Sequence, residues 1–297
     1  MSTSLLNSLV DSVQEDFGFP AGLARSLNQQ PWERVELSGR KQSINIDDLP
    51  QWHQLARQDA SMSLGFVKGW RSRNGFYSAE DTMIPALNSI GIRVEHEGWE
   101  CDISAVEGLA SSRYGLSQFE SLEELVTQDA PQLIEKITDE ALRENLAHSG
   151  VRIVNDPKTS DCFVTHSWDR RVFLSNAGGS HHFAAAQYIA KRLGQRVPIR
   201  GRRVHYLLNH SAVREIYSNY EIFASSFTGT FGGPFFDGMK DLRASWSHFA
   251  MPSPFEKHVA VLLPRRESRS ARVAKLMHEV GATDLGRHLL NLPVFPH

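Results

Sequence analysis

The chain has 297 residues, of which 41% are hydrophobic and 22% charged, with 6 Trp and 16 Phe; this excludes wholesale disorder and collagen-like or coiled-coil composition and is enough for a large folded core. Lys and Arg number 32 against 34 Asp and Glu, a formal charge of -2, which excludes a uniformly basic protein held on nucleic acid by bulk charge while leaving room for local basic patches. Cys101 and Cys162 stand in no Cys-x-x-Cys or Cys/His ligand spacing, so a reducing compartment is expected, with neither a disulfide framework nor a metal site.

In chain order, residues 1–60 read as an amphipathic helix (Leu5, Leu6, Leu9, Val10, Val13), a polar connector with Pro31 and Pro50, and a second helix around Trp52 and Leu55. The first stretch carries Asp11, Glu15 and Asp16 and lacks the positive start and apolar run of a signal peptide. No run approaches the roughly 20 apolar residues of a membrane helix. A cytoplasmic protein without membrane partners is the expectation. Short apolar runs over 65–106, broken by Gly69, Gly75 and Pro85, suggest strands or loops. Residues 118–147 place Leu122, Leu125, Leu133, Ile137, Leu142 and Leu146 at helical spacings, with Pro131 opening a second helix and Gly150 beyond the end.

The period then changes. VRIVN (151–155), DCFVTH (161–166) and RVFLSN (171–176) predict three adjacent strands separated by turn signals. AGGSHHFAAAQYIAKRLG follows, predicting a glycine turn and then an Ala-rich helix closed by Gly194. VPIRGRRVHYLLN (197–209) predicts a strand, and HSAVREIYSNYEIFA a further helix. SSFTGTFGGPFFDG (225–238) holds no period and reads as an apolar loop; HVAVLLP (258–264) reads as a strand and RRESRSARVAKLMHEVG as a basic helix.

Gly178, Gly179, Ser180, His181 and His182 form the densest chemical signal, at the point where a strand passes into a helix. Glycines permit close backbone approach, and the first free N–H groups at the positive end of the helix dipole suit a phosphate or another anion. Ser180 adds a hydroxyl and the histidines titratable donors. A tight turn, with the histidines bonded to nearby backbone, is the structural alternative. This stretch, with Phe183-Ala184-Ala185-Ala186 and, after the helix, Val197-Pro198-Ile199, resembles the ParB/sulfiredoxin-like superfamily, over residues of about 130 to 210. Sulfiredoxins carry Gly-Gly-Cys-His-Arg at this turn, ParB proteins Gly-Glu-Arg-Arg, and the free-serine kinases of the superfamily Asp-Gly-His-His-Arg. Ser180 stands where sulfiredoxins have the reacting cysteine, which removes sulfur chemistry. His182 stands in the place of Arg, so the permanent phosphate clamp becomes a group mostly neutral at pH 7. Arg202 and Arg203 are the expected substitutes in space.

The resemblance implies an α+β fold: a small mixed sheet with a ParB/sulfiredoxin-like core, flanked by N- and C-terminal helices. Three consecutive segments are expected, a helical and mixed region over 1–117, the core over 118–222, and over 223–297 the Gly/Phe loop with a strand and helix packed on the core. The implied ligand is a nucleoside triphosphate (ATP or CTP) with magnesium, or another phosphorylated small molecule, held by 178–182 with Arg202 and Arg203, for hydrolysis or phosphoryl transfer. Ser180 and His181 are the candidate catalytic groups there. Phosphoryl transfer also calls for carboxylates, and Glu140 and Glu144, one turn apart, can share a helix face. Asp156, Asp161 and Asp169 are alternatives in turns. Two other functions fit the same residues: a ParB-like nucleic-acid binder or nuclease using the basic clusters 196–203 and 265–275, and a non-catalytic interaction protein.

Overall fold

In a computed structural model, residues 14–15, 18–29, 32–39, 42–56, 65–112, 115–226 and 232–295 are described. They begin with helix α1 (Ala21–Gln29), the hairpin strands β1 (Phe66–Arg73) and β2 (Phe76–Met83), and strands β3 (Gly91–Asp102) and β4 (Val106–Leu109). Helices α2 (Leu122–Asp129), α3 (Asp139–Ala147) and α4 (Arg152–Asn155) follow, then β5 (Cys162–His166), β6 (Asp169–Ser175), α5 (Ser180–Leu193) and β7 (Pro198–Leu208). The chain continues through α6 (His210–Asn219), β8 (Tyr220–Ser225), α7 (Gly232–Asp241), β9 (Trp246–Ala250), β10 (Val259–Pro264), α8 (Ser268–Glu279), β11 (Thr283–Asp284) and α9 (Leu285–Leu290). The fold is α+β.

Contacts group the chain into two units, each drawn from separate stretches. The described residues within 1–37, 51–91 and 209–292 include a six-stranded sheet of order β11-β8-β10-β9-β1-β2; those within 38–50, 92–208 and 293–297 include a five-stranded sheet of order β3-β7-β5-β6-β4. Neither unit coincides with one of the segments 1–117, 118–222 and 223–297. Strand pairing in the six-stranded sheet is antiparallel among the described residues, and its core is built on Trp32, Phe223, Phe235, Trp246 and Met277. The five-stranded sheet is mixed: β4 runs parallel to β6, β6 antiparallel to β5, and β5 parallel to β7.

One face of the mixed sheet is covered by α5, which buries Phe183, Ala184, Ala185, Ala186 and Ile189 among Phe163, Leu174, Leu125 and Leu142. Short alanine side chains let α2 and α3 pack closely on α5, as the leucine spacing of 118–147 requires. Each of these two helices starts on a hydroxyl cap: Ser121 accepts the Glu124 N–H at 3.0 Å and Thr138 accepts that of Ala141 at 3.2 Å. Gly194, at φ +66°, closes α5 by donating to the Ala190 and Lys191 carbonyls. Among the described residues no helix is long and apolar enough to cross a membrane.

Four sequence expectations are corrected. VRIVN is not a strand but the turn of helix α4: Asn155 Nδ2 donates to the Leu146, His148 and Val151 carbonyls, and Ile153 packs where a side chain at Gly201 of β7 would stand. The β-branched composition yields to that packing, and β3 and β4 complete the sheet in its place. The helix from His210 ends at Asn219, and Tyr220 opens a strand. Within 225–238, residues 232–238 belong to α7, whose Phe235 and Met239 are buried four residues apart; 227–231 lie outside the described residues, as do Leu5, Leu6, Leu9, Val10 and Val13. Finally, a six-stranded sheet forms where only 258–264 was clearly strand-like.

Candidate functional site

Strand β6 ends at Ser175, and the chain turns through Asn176, Ala177, Gly178 and Gly179 into α5. Gly179 is the helix N-cap at φ +71°, and having no side chain it leaves the first turn without a side-chain cap; no acidic residue stands in that turn. The first turn of this 14-residue helix therefore has neither a side-chain cap nor an acidic residue of its own to offset the positive end of its dipole. The two glycines do different work. A Cβ at Gly179 would lie 2.3 Å from the carbonyl carbon and oxygen of Gly150, whereas one at Gly178 would meet only the Gly150 oxygen at 3.9 Å. Gly179 is a packing requirement, and Gly178 is the open position.

Asn176, which is buried, fixes the turn. Its Nδ2 donates to the Gly178 carbonyl at 2.9 Å, to Ser180 Oγ at 2.9 Å and to the Ser111 carbonyl at 3.1 Å, while its Oδ1 accepts the Ala110 and Ser111 N–H groups. Ser180 Oγ in turn donates to the Ser111 carbonyl. The hydroxyl expected to meet phosphate is thus bonded within the fold and is buried, so its observed role is to hold the turn.

Beside the turn lies a histidine cluster. His182 and His148 stack with ring centroids 3.6 Å apart and planes 9° from parallel. Asn145 Nδ2 donates to the Leu133 and Ala141 carbonyls, which orients its Oδ1 toward His182 Nδ1 at 3.0 Å and places the ring proton on that nitrogen. The Gly150 N–H donates to His148 Nδ1 at 3.1 Å, which puts the proton of that ring on Nε2. Burial, with His148 and His181 adding to it, holds His182 below the usual histidine range. His181 directs Nε2 toward Asp129 Oδ2 at 3.9 Å, beyond hydrogen-bond reach.

A cation also approaches the turn. Asp161, whose side chain is 1% exposed, accepts from Arg152 Nη2 at 2.5 Å and from the Ala177 N–H at 3.1 Å, so one carboxylate ties both the turn and Arg152 together. Removing it takes the acceptor from the Ala177 N–H and the partner from the partly exposed Arg152 guanidinium. Asp161→Ala is expected to destabilise the chain by about 2–4 kcal/mol in a denaturant melt, with Asp161→Asn recovering part of the loss.

The other expected site residues have their observed contacts outside the turn. Glu140 and Glu144 are exposed on α3, whose buried residues are Ala141, Leu142 and Asn145, so Asn145 is the residue of that helix that reaches the turn. Arg202 pairs with Glu95 at 3.1 Å and donates to the Ser160 carbonyl; Arg203, 5% exposed, places its guanidinium 5.0 Å above the Trp99 ring. Their contacts are with β3 and the chain before β5. Missed from the sequence were Asn176, Asn145, His148, Asp129 and Arg152. An Asn at the end of a strand before Gly-Gly carried a local turn signal; the others are brought in by folding. Neither cysteine is a thiolate at neutral pH: burial, with Asp102 and Glu100 beside it, pushes Cys101 up to about 11, and burial raises Cys162.

The lowered His182 value sets a pH dependence. Above the ordinary histidine value of about 6.5 the group is neutral in both folded and unfolded chains and its contribution is constant. On acidification the unfolded chain binds the proton first, so stability falls from there down to the lower folded-state value. The melting temperature of His182→Gln should decline less over that window than that of the wild type; equal declines would refute the assignment.

These observations define an α+β protein with an uncapped helix N-terminus behind an open glycine, flanked by stacked histidines. The chain belongs to DUF6685, a family of unknown function whose model matches residues 96–296. No curated protein and no solved structure matches it.

Proposed function

We propose that the turn 178–182 binds the phosphate of a small phosphorylated molecule, with a nucleoside triphosphate as the leading candidate, in the manner that the ParB/sulfiredoxin-like resemblance implies. The observation that carries this reading is the uncapped N-terminus of α5 with open space before Gly178. Backbone N–H groups of the first turn supply the donors, and the rigid Asn176 frame holds them in place before any ligand arrives. Arg152 is linked to the turn only through Asp161, whose carboxylate balances its charge, so backbone N–H groups rather than a side-chain cation make the principal contacts. His182, neutral at pH 7 with its proton on Nδ1, has a basic Nε2 that gains a proton as the pH falls, so phosphate binding strengthens on acidification.

Hydrolysis or transfer would fall to His181, the one imidazole of the first helical turn with a carboxylate close to it, Asp129 at 3.9 Å. The residues fit magnesium poorly: Glu140 and Glu144 face solvent, and Asp161 Oδ1 is occupied by Arg152 and Ala177. The reading therefore rests on direct recognition of phosphate by the chain. The basic clusters favour a small ligand over a nucleic acid, since Arg196, Arg200, Arg202 and Arg265 are engaged with Asp102, the Gly98 carbonyl, Glu95 and Glu221 respectively. Calorimetric titration with ATP, CTP, GTP and inorganic phosphate, with and without magnesium, tests the proposal. Micromolar to millimolar binding of at least one is expected; no heat with any of them, at protein concentrations able to detect millimolar affinity, overturns it.

A further inference from the structure

We propose that Glu221, His278 and Asp284 form a binding site for a divalent transition-metal ion. The three come from β8, the last turn of α8 and β11, and one donor atom from each lies within 4.8 Å of the others. The site lies wholly in the unit built on the six-stranded sheet and is independent of the phosphate reading.

The arrangement differs from a chance meeting of surface charges because each donor is oriented by a second contact. Arg265 Nη1 holds Glu221 Oε1 at 2.5 Å and is itself fixed by its Nε donating to the Tyr217 carbonyl at 2.7 Å; Glu221 Oε2 is left toward His278 Nε2 at 3.3 Å. The His278 ring packs edge-on against Phe223, with centroids 4.9 Å apart. Asp284 Oδ1 caps α9 by accepting the Arg287 N–H at 2.8 Å, which leaves Oδ2 for a cation. Outer contacts of this kind set the direction of metal ligands and are as much a part of such sites as the ligands.

The donor set indicates the ion. One imidazole nitrogen and two carboxylate oxygens suit zinc, cobalt or manganese, whereas magnesium and calcium prefer oxygen alone. Glu221 is paired with Arg265 and the partner of Asp284 is a backbone N–H, so the donor set carries a net negative charge that attracts a cation. His278 is exposed, so water fills the remaining coordination positions and solvent ions have access.

Titration of the full chain, after treatment with a chelator, with zinc and cobalt chlorides tests the site. One equivalent is expected to bind, with a rise in melting temperature, and magnesium should do neither. His278→Ala should weaken binding at least tenfold and abolish the thermal shift. Asp284→Asn, which keeps the helix cap while removing the charge, should weaken it in the same direction. Three outcomes overturn the proposal: no zinc binding up to about millimolar concentration, zinc binding unchanged in His278→Ala, or binding lost instead in His148→Ala, which would place the ion on the stacked histidines.

Discussion

Gly179→Val is expected to cost about 2–6 kcal/mol, a large share of the 5–15 kcal/mol that typically separates folded from unfolded chains. Two effects add. A β-branched residue at φ +71° carries a strain of roughly 1–3 kcal/mol. Its Cβ also falls 2.3 Å from the Gly150 carbonyl, which is backbone and cannot rotate aside, and overpacking of this kind adds about 1–3 kcal/mol. Gly194 separates the two. It is left-handed as well, at φ +66°, but no atom lies within 4 Å of the Cβ position, so Gly194→Val shows the strain alone. Denaturant melts of both variants measure the difference; equal losses would mean that the Gly150–Gly179 approach contributes nothing.

Gly178→Asp is expected to weaken phosphate or nucleotide binding by about tenfold to hundredfold while leaving the melting temperature unchanged or slightly higher. The added side chain enters open space, and Gly178 does not have a left-handed φ, so the fold accepts it. A carboxylate just before α5 interacts favourably with the helix dipole, worth about 0.3–1 kcal/mol to the folded chain. The same carboxylate would occupy the place proposed for the anion and repel it; losing a charge-assisted bond of roughly 1.5–3 kcal/mol gives the stated change in affinity. Opposite signs for stability and binding make the test selective. If a ligand binds the wild type and Gly178→Asp equally well, its site is not this turn.

For this chain the sequence by itself determined those elements whose type follows from neighbours along the chain. Gly-Gly before an Ala-rich helical period, with Gly194 after it, specifies α5 and both of its ends, because left-handed residues and apolar spacing are local properties. The runs 161–166, 171–176 and 258–264 became β5, β6 and β10 for the same reason, and 118–147 became helices packed on α5. The position of the candidate site, at the strand-to-helix turn, was legible as well.

Tertiary structure decided what surrounds that turn. Asn176 reaches Ser111 across 65 residues and His182 reaches Asn145 across 37, and no local pattern records such pairings. Which side of α3 packs was not legible, because Glu140 and Glu144 match a helical spacing equally well whichever side does; burial of Ala141 and Leu142 on the core settles it and turns Asn145 inward. VRIVN became a helical turn in which Ile153 fills the space that Gly201 leaves on β7, tertiary packing that overrides local β propensity. Ser180 could be read only as a hydroxyl at a helix start; the Ser111 carbonyl and Asn176, which become its neighbours on folding, made it a fastening of the turn.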